Sequence, residues 1–458
     1  MLGMNGGLLN IDMADDQMKN TEDIAKQRDI DIQYSVGSFE HTHANSILLK
    51  LQSKTGNNIE VLAVSLGGGS FEIQKVNGCE VSFRGDRYVA LIWATSNYED
   101  ALRQQLDNIS EVKLTTKQQS LLHTVQSSAP LQDTIESLLT NKSDVLTMSF
   151  ADPILPIISG LETALPFSSI GSLINYAESN KLSLGELGLM YEKHRSGLSK
   201  EALIQKMEQL IDIMEASIKG GLAGTEYKDR ILHQQSHKVS KAEKAGNILQ
   251  GSIINTIVSY TAAIMESKSA LEVVVANPTA GSCATVCAAM TAVAEELATT
   301  KENKLMAYFA TGLVGAYFAM GPGFSAEEHG CQVETGASAG MAAAGIVELF
   351  GGNAEQALGA ASIAIQNTIG LVCDPIADRV EAPCLSKNIN AAVNALSSAT
   401  MASSGFAHLI PLDQVLETVS RVSALMPSCH KCTGTGGLAV TEAAMKIKEG
   451  LKGTSLLQ

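Results

Sequence analysis

The sequence predicts an α+β fold, with a small N-terminal α/β-sandwich-like domain followed by a large all-helical domain. Apolar segments that alternate with turn residues occupy 30–114, whereas helical periodicity and Ala-rich segments punctuated by Gly dominate 167–458. A Ser/Thr-rich stretch with several prolines lies between them at 115–166 and predicts a connector. A chain of 458 residues is long enough to bury more than one core.

Four segments of the N-terminal domain predict strands. They are rich in β-branched and apolar residues and lie at 46–52, 60–64, 71–76 and 88–93. Turn residues such as Asn77-Gly78 separate them. The segment 99–109 predicts a helix, and a further short helix is expected near 131–139 of the connector.

The helical zone contains segments built almost entirely from small and apolar residues. They lie at 253–265, 284–297, 337–350, 354–366 and 391–401. The stretch Leu305 to Met320 has no charge, but it is shorter than the roughly 20 residues that a transmembrane helix needs. We therefore expect it to be a buried core helix.

Charge and cysteine usage restrict the class of protein. The formal net charge of −15 disfavours nucleic acid and anionic membranes as partners. The N-terminal segment is acidic and has no basic n-region, which predicts a cytoplasmic protein without a secretory signal. In that compartment the eight cysteines are expected to be metal ligands, reactive thiols or core residues rather than disulfides.

One loop of the helical zone is suited to an anionic ligand. Asn277-Pro-Thr-Ala-Gly-Ser282 precedes a predicted helix, so its backbone N–H groups and hydroxyls would lie at the positive helix end. Such a position suits a carboxylate or a phosphate. On spacing alone, an ordinary N-capped turn is the simpler interpretation of the same residues.

Three cysteines lie in irregular loops rather than on apolar helix faces. Cys331 follows Gly330, while Cys373 and Cys384 each have a proline close by. Thiolates in such loops are the usual ligands of iron–sulfur clusters. Their spacing fits no standard zinc or ferredoxin pattern, and buried free thiols are the alternative.

Taken together, these loops resemble the iron–sulfur L-serine dehydratase family. The resemblance covers roughly 185–440, and the N-terminal zone is similar to the smaller β domain of that family. The matching segments are Asn277-Pro-Thr-Ala-Gly-Ser282, Gly330-Cys-Gln-Val-Glu-Thr-Gly336, Glu348-Leu-Phe-Gly-Gly352, Gly370-Leu-Val-Cys-Asp-Pro375, Glu381-Ala-Pro-Cys384, Lys387-Asn388, Met426-Pro427 and Gly436-Gly-Leu-Ala439.

The resemblance implies a [4Fe-4S] cofactor and a β-elimination reaction. Cys331, Cys373 and Cys384 fall on the three cluster positions, which leaves one iron open to act as a Lewis acid. The implied enzyme is an L-serine ammonia-lyase of amino-acid metabolism and gluconeogenesis, which converts L-serine to pyruvate and ammonia. Asn277, Thr279, Ser282 and Lys431 are the implied contacts to the small amino-acid substrate. The α-proton base is not identified. Large Ala-rich helical domains often bury more surface in dimers, and a homodimer is one expected arrangement.

The sequence departs from the family pattern at the N-terminal side. The Gly-Pro-Ser-Ser-Ser-His-Thr segment that usually begins the β domain is not found, and His41 and His43 belong to a different stretch. This departure favours the alternative of a non-catalytic sensor or partner homologue that retains the cluster.

A second group of departures lies close to the predicted cluster. Cys432 stands where a glutamate is expected, and Ala377-Asp378-Arg379 introduces charge between two cluster cysteines. Cys429 and Cys432 form a Cys-x-x-Cys pattern, which is interpreted as a redox pair, as the source of a fourth cluster ligand from either cysteine, or as a chance occurrence. The additional thiols also raise the alternative of an L-cysteine desulfidase-like lyase.

Overall fold

The computed structural model describes residues 2–37, 43, 45–67, 69–105, 109–117, 120–154, 167, 169–227 and 229–451. The chain divides into two compact units. The sheet-bearing unit comprises His41–Pro166 and Leu189–Leu203, and the helical unit comprises Met1–Glu40, Phe167–Gly188 and Ile204–Gln458. The predicted α+β fold class is confirmed.

The sheet-bearing unit contains two antiparallel four-stranded sheets. Its strands are β1 (Ser46–Gln52), β2 (Asn58–Gly67), β3 (Ser70–Val76), β4 (Cys79–Phe83), β5 (Tyr88–Ala94), β6 (Ile109–Lys117), β7 (Ser120–Ser127) and β8 (Val145–Ala151). The first sheet has the order β1-β2-β3-β4 and the second β6-β7-β5-β8. All four predicted strands are present.

The second sheet packs on both of its faces, because successive side chains of a strand point to opposite sides. Ala90 and Ile92 of β5 contact helices α3 (Glu99–Gln105) and α4 (Gln132–Leu139). On the other face, Val89 joins a core that includes residues of β3 and β4. A helix layer and two sheets therefore form a sandwich.

The stretch predicted as a connector, 115–166, supplies strands to this sandwich. Both β7 and β8 lie within it and pair with β5 on its two sides. The pattern of β7 gave little indication of a strand, because buried polar residues such as His123 and Thr124 interrupt its apolar residues. The predicted short helix of this stretch is confirmed as α4, and the helix predicted at 99–109 ends at Gln105.

The rest of the chain is almost entirely helical. The helices are α1 (Leu2–Leu9), α2 (Thr21–Gln27), α5 (Ile170–Asn180), α6 (Leu184–Ser196), α7 (Lys200–Ala223), α8 (His237–Lys244), α9 (Ile253–Ser269), α10 (Cys283–Glu296), α11 (Lys301–Met320), α12 (Ala326–His329), α13 (Thr335–Leu349), α14 (Ala354–Gln366), α15 (Cys384–Ser403), α16 (Leu412–Leu425) and α17 (Glu442–Leu451). The apolar stretch Leu305 to Met320 lies in α11, and its apolar residues Leu305, Phe309 and Leu313 are buried. Over the described ranges, every helix is too short or too polar to cross a bilayer.

Helix α13 lies at the centre of the helical unit and is buried along nearly its whole length. It contacts α10, α11, α14 and α15. Small residues permit these close approaches. A Cβ atom added at Gly345 would lie 2.6 Å from Thr311 and 2.7 Å from Met290. The loops at the ends of these packed helices carry the predicted site.

Candidate metal centre

Three short segments at helix ends supply the predicted cysteines. Cys331 lies between α12 and α13, Cys373 follows α14, and Cys384 begins α15. Gln332 joins the first two segments, because its side-chain oxygen accepts a hydrogen bond of 2.9 Å from the Gly370 N–H. The packing of α13, α14 and α15 thus fixes where the three cysteines lie.

Two of the three cysteines meet directly. The Sγ atoms of Cys331 and Cys373 and a carboxylate oxygen of Glu334 all lie within 4.8 Å of one another. Hydrogen bonding with the Cys331 thiol raises the pKa of Cys373. Cys384 is buried but is not a member of this group within the described part of the chain. Burial raises the pKa of Cys384 to about 12, and the charge of Cys331 contributes to the same shift.

A buried ion pair lies beside the sulfur atoms. The Lys387 Nζ is 2.6 Å from an Asp374 carboxylate oxygen and donates to the Val372 carbonyl at 2.7 Å. The same ammonium lies 3.8 Å from the Cys331 Sγ. Burial alone would lower the pKa of Lys387, but the negative charges of Cys331 and Asp374 raise it. Lys387 therefore places a fixed positive charge where thiolates would gather.

The loop that precedes α10 is organised as a cap. The Thr279 Oγ1 accepts from the Ser282 N–H at 3.2 Å, and the Ser282 hydroxyl donates to the Asn277 carbonyl at 3.2 Å. The Asn277 amide donates to the Met214 Sδ at 3.4 Å. Three of the four predicted substrate contacts, Asn277, Thr279 and Ser282, are thus buried and hold the loop together, as in an N-capped turn.

The cap also reaches the metal centre through Glu334. The Thr279 hydroxyl donates a 2.7 Å hydrogen bond to the Glu334 carboxylate. That carboxylate lies over Gly281, where an added Cβ would be 2.9 Å from one of its oxygens. Burial raises the pKa of Glu334, and the hydrogen bond from Thr279 opposes this shift. A carboxyl group therefore already lies at the N-terminal approach to α10, where the sequence predicted that a substrate carboxylate would bind.

Asn388 connects the capped loop to the third cysteine. Its side-chain amide donates to the Gly281 carbonyl and to the Cys384 carbonyl, both at 2.8 Å. Its oxygen accepts from the Thr285 hydroxyl at 3.1 Å. One fully buried side chain thus fixes the predicted substrate loop and the start of α15 together.

The segment that contains Lys431 pairs with the Cys373 segment. The Cys373 N–H donates to the His430 carbonyl at 2.8 Å, and the Cys432 N–H donates to the Cys373 carbonyl at 3.1 Å. Lys431 forms the parallel bridge with Cys373. Burial lowers the pKa of His329; the Glu328 charge opposes this shift, and the Lys431 charge adds to it.

Two charged residues between Cys373 and Cys384, Arg379 and Glu381, hold this loop in place. Arg379 donates to an Asp229 carboxylate oxygen at 2.5 Å. The buried Glu381 carboxylate accepts from the backbone N–H groups of Ile231 and Leu232 at 2.8 and 2.9 Å. These contacts attach the loop to the segment that follows α7.

The two histidines considered from the sequence, His41 and His43, belong to the sheet-bearing unit. His41 lies outside the described residues, and the His43 ring accepts a hydrogen bond from the Asn45 N–H at 3.2 Å. The contacts of Glu334 and Lys387 were not predicted. A weak signal existed, because each lies three residues after a predicted cysteine that begins or precedes a helix, and helical spacing places such residues on one face.

Comparisons with known proteins match this part of the chain. The family model described as "Serine dehydratase alpha chain" matches residues 159–439, a range that contains the whole candidate centre. The chain is 33% identical over 290 residues to the probable L-serine dehydratase, alpha chain, of Bacillus subtilis (strain 168). This alignment covers 63% of this chain and 97% of the relative. The chain is 33% identical over 282 residues to the L-serine dehydratase, alpha chain, of Peptoniphilus asaccharolyticus, covering 60% and 95%. It is also 32% identical over 289 residues to the L-serine dehydratase TdcG of Escherichia coli (strain K12), covering 61% and 63%.

Proposed function

Because the chain belongs to the serine dehydratase alpha-chain family, we propose that it is a lyase that eliminates water from L-serine. The enamine product then hydrolyses, giving pyruvate and ammonia. The observation that carries this proposal is the convergence of Cys331, Cys373 and Glu334 beside the capped loop. The names of the relatives support an enzyme of the L-serine ammonia-lyase type.

We propose that Cys331, Cys373 and Cys384 hold a [4Fe-4S] cluster. Their chemistry fits, since all three are buried and free of disulfides, with Cys331 and Cys373 in loops and Cys384 at the first position of α15. The nearby Lys387 ammonium would offset the negative charge of several thiolates. When bound, a cluster with three thiolate ligands would supply a Lewis-acidic iron that polarises the substrate hydroxyl.

The other residues of the centre would bind and orient the substrate. The Thr279 hydroxyl donates to the Glu334 carboxylate at the start of α10. An incoming substrate carboxylate would replace Glu334 as the acceptor of this hydrogen bond. Asn277 and Ser282 stabilise the loop, because the Asn277 amide donates to Met214 and the Ser282 hydroxyl donates to the Asn277 carbonyl. Lys431, whose backbone pairs with Cys373, would attract the substrate carboxylate. The burial of Cys331, Cys373 and Cys384 would limit the access of water to a cluster held there.

Reconstitution under anaerobic conditions tests both parts of this proposal. The full chain is reconstituted with iron and sulfide, after which bound iron, thiolate-to-iron absorption and pyruvate release from L-serine are measured. We expect a bound cluster and pyruvate formation in the wild type, and loss of both in Cys373→Ala. Cys79→Ala is the matched control, because Cys79 is a buried cysteine of the first sheet.

Two results would contradict the proposal in different ways. If the reconstituted wild type binds no iron, the proposed cluster is excluded. A loaded protein that releases no pyruvate from L-serine would support the sensor or partner homologue instead. Release of sulfide from L-cysteine in the same assay would indicate the desulfidase-like reaction.

A further inference from the structure

Cys432 lies in a segment whose backbone is attached to Cys373. Hydrogen bonds run in both directions between the two segments, from the Cys373 N–H to His430 and from the Cys432 N–H to Cys373, at 2.8 and 3.1 Å. The position of Cys432 relative to Cys373 is therefore fixed by main-chain contacts and does not depend on a flexible side chain.

The Cys432 side chain points into the centre. It packs against the small buried cluster formed by Ala326, Cys331 and Cys373. A third cysteine side chain, from a distant part of the chain, thus lies against the Cys331 and Cys373 pair, next to the group of atoms that lie within 4.8 Å of one another. Cys432 is only partly buried, so its side chain borders both this pair and the solvent.

The backbone at Cys432 supplies a second, independent observation. Its φ angle is 61°, in the left-handed region that residues with a side chain rarely adopt. Such conformations persist where surrounding contacts enforce them, and they are concentrated at functional sites. Here the conformation accompanies the hydrogen bond to the Cys373 carbonyl.

On the basis of the cluster in the proposed function, we propose that Cys432 is a fourth thiolate ligand. It would occupy the iron that Cys331, Cys373 and Cys384 leave without a protein ligand. In the resting protein all four irons would then be held by cysteine, and a substrate would have to compete with Cys432 for that iron. The exchange involves ligands only, without a change in oxidation state.

Controlled oxidation of the reconstituted cluster tests this assignment. A [4Fe-4S] cluster with three thiolates readily loses its unique iron, whereas one with four thiolates retains it. We expect Cys432→Ala to lose one iron per cluster on treatment with ferricyanide and to develop the EPR signal of a three-iron cluster. The wild type should retain its iron under the same conditions.

Cys429→Ala is the matched control. Cys429 lies in the same segment, but its backbone carbonyl and Cβ pack against Gly436. We expect this variant to behave as the wild type does. Loss of one iron from the wild-type cluster at the same rate as from Cys432→Ala would overturn the assignment of Cys432 as a ligand. It would not contradict the proposal that the protein binds a cluster. Failure of every protein, the wild type included, to bind iron would instead overturn the proposed function.

Alkylation gives a second measurement that needs no variant. Iodoacetamide labelling followed by peptide mass spectrometry is applied to the wild type before and after iron is removed with a chelator. We expect Cys432 to be protected in the loaded protein and labelled after iron removal, whereas Cys429 is labelled in both states. Equal labelling of Cys432 in the two states would contradict its role as a ligand.

Discussion

The Thr279 hydroxyl donates a 2.7 Å hydrogen bond to the carboxylate of Glu334. Thr279 belongs to the loop that begins α10, and Glu334 directly precedes α13 beside Cys331. This contact couples the predicted substrate loop to the predicted cluster. Changes at either residue should therefore affect both ligand binding and local stability.

Replacing Thr279 with Val tests this coupling. The change retains the size of the side chain and removes the donor to Glu334, which should destabilise the protein by about 1–3 kcal/mol. We expect kcat/KM for L-serine to fall by roughly tenfold or more, because about 1.4 kcal/mol of lost binding corresponds to one factor of ten. Thr400→Val, on an exposed face of α15, is the control for both measurements. Unchanged kinetics in Thr279→Val would exclude a role for this hydroxyl.

Replacing Lys387 with Met should leave the buried Asp374 carboxylate unpaired. The side chains of this pair are only 13% and 5% exposed, and removal of one partner of a buried pair costs on the order of 3 kcal/mol. The free energy of unfolding, measured with urea on the protein before any reconstitution with iron, should fall by that amount. Lys446→Met is the control, because Lys446 and Glu442 form a pair that is 71% and 83% exposed. A change within about 0.5 kcal/mol is expected there. Equal effects of the two substitutions would contradict the described pair.

Two helical glycines of the helical unit should respond to alanine in opposite directions. At Gly345 the new Cβ would lie 2.6 Å from Thr311, so overpacking should destabilise the protein by about 1–3 kcal/mol. At Gly312 the new Cβ would meet nothing within 4 Å, so alanine should stabilise the helix by up to about 1 kcal/mol. Thermal unfolding of both variants distinguishes these effects. A stabilised Gly345→Ala would indicate looser packing around α13.

The stability of the protein should depend on the protonation of Glu348. Burial raises the pKa of this carboxyl group, whose oxygen accepts from the Gly185 N–H at 3.2 Å. With a folded pKa above the unfolded one, the native state binds more protons between the two values. The free energy of unfolding should therefore fall as pH rises from the ordinary glutamate pKa through the raised one.

Glu348→Gln should remove this part of the pH dependence. Urea unfolding at a series of pH values gives the slope for each protein. The variant should show a shallower fall over the same interval, since glutamine does not titrate. Parallel curves for the wild type and the variant would rule out the raised pKa as the cause.

Much of the architecture could be predicted from local patterns. Strands such as β5 show the apolar run that a buried strand needs, and the Ala- and Gly-rich segments indicated helices that pack closely on several sides. The strands β7 and β8 were not predicted. Their burial depends on β5, which lies between them in the sheet, and periodicity within each segment does not report such distant partners.

The sequence by itself determined the residue types of the candidate centre and the loops that carry them, because glycines, prolines and cysteines at helix ends are local features. Only the tertiary structure decided which of these residues meet. It brought Cys432 into contact with the Cys373 cluster and Glu334 within hydrogen-bond distance of Thr279. It also set Lys387 beside Cys331, whereas Cys384 lies outside the group of atoms within 4.8 Å of one another. These contacts join residues that are far apart in the chain, and they arise from the packing of α10, α13 and α15. That packing depends on the volumes of many side chains together, which no single motif records.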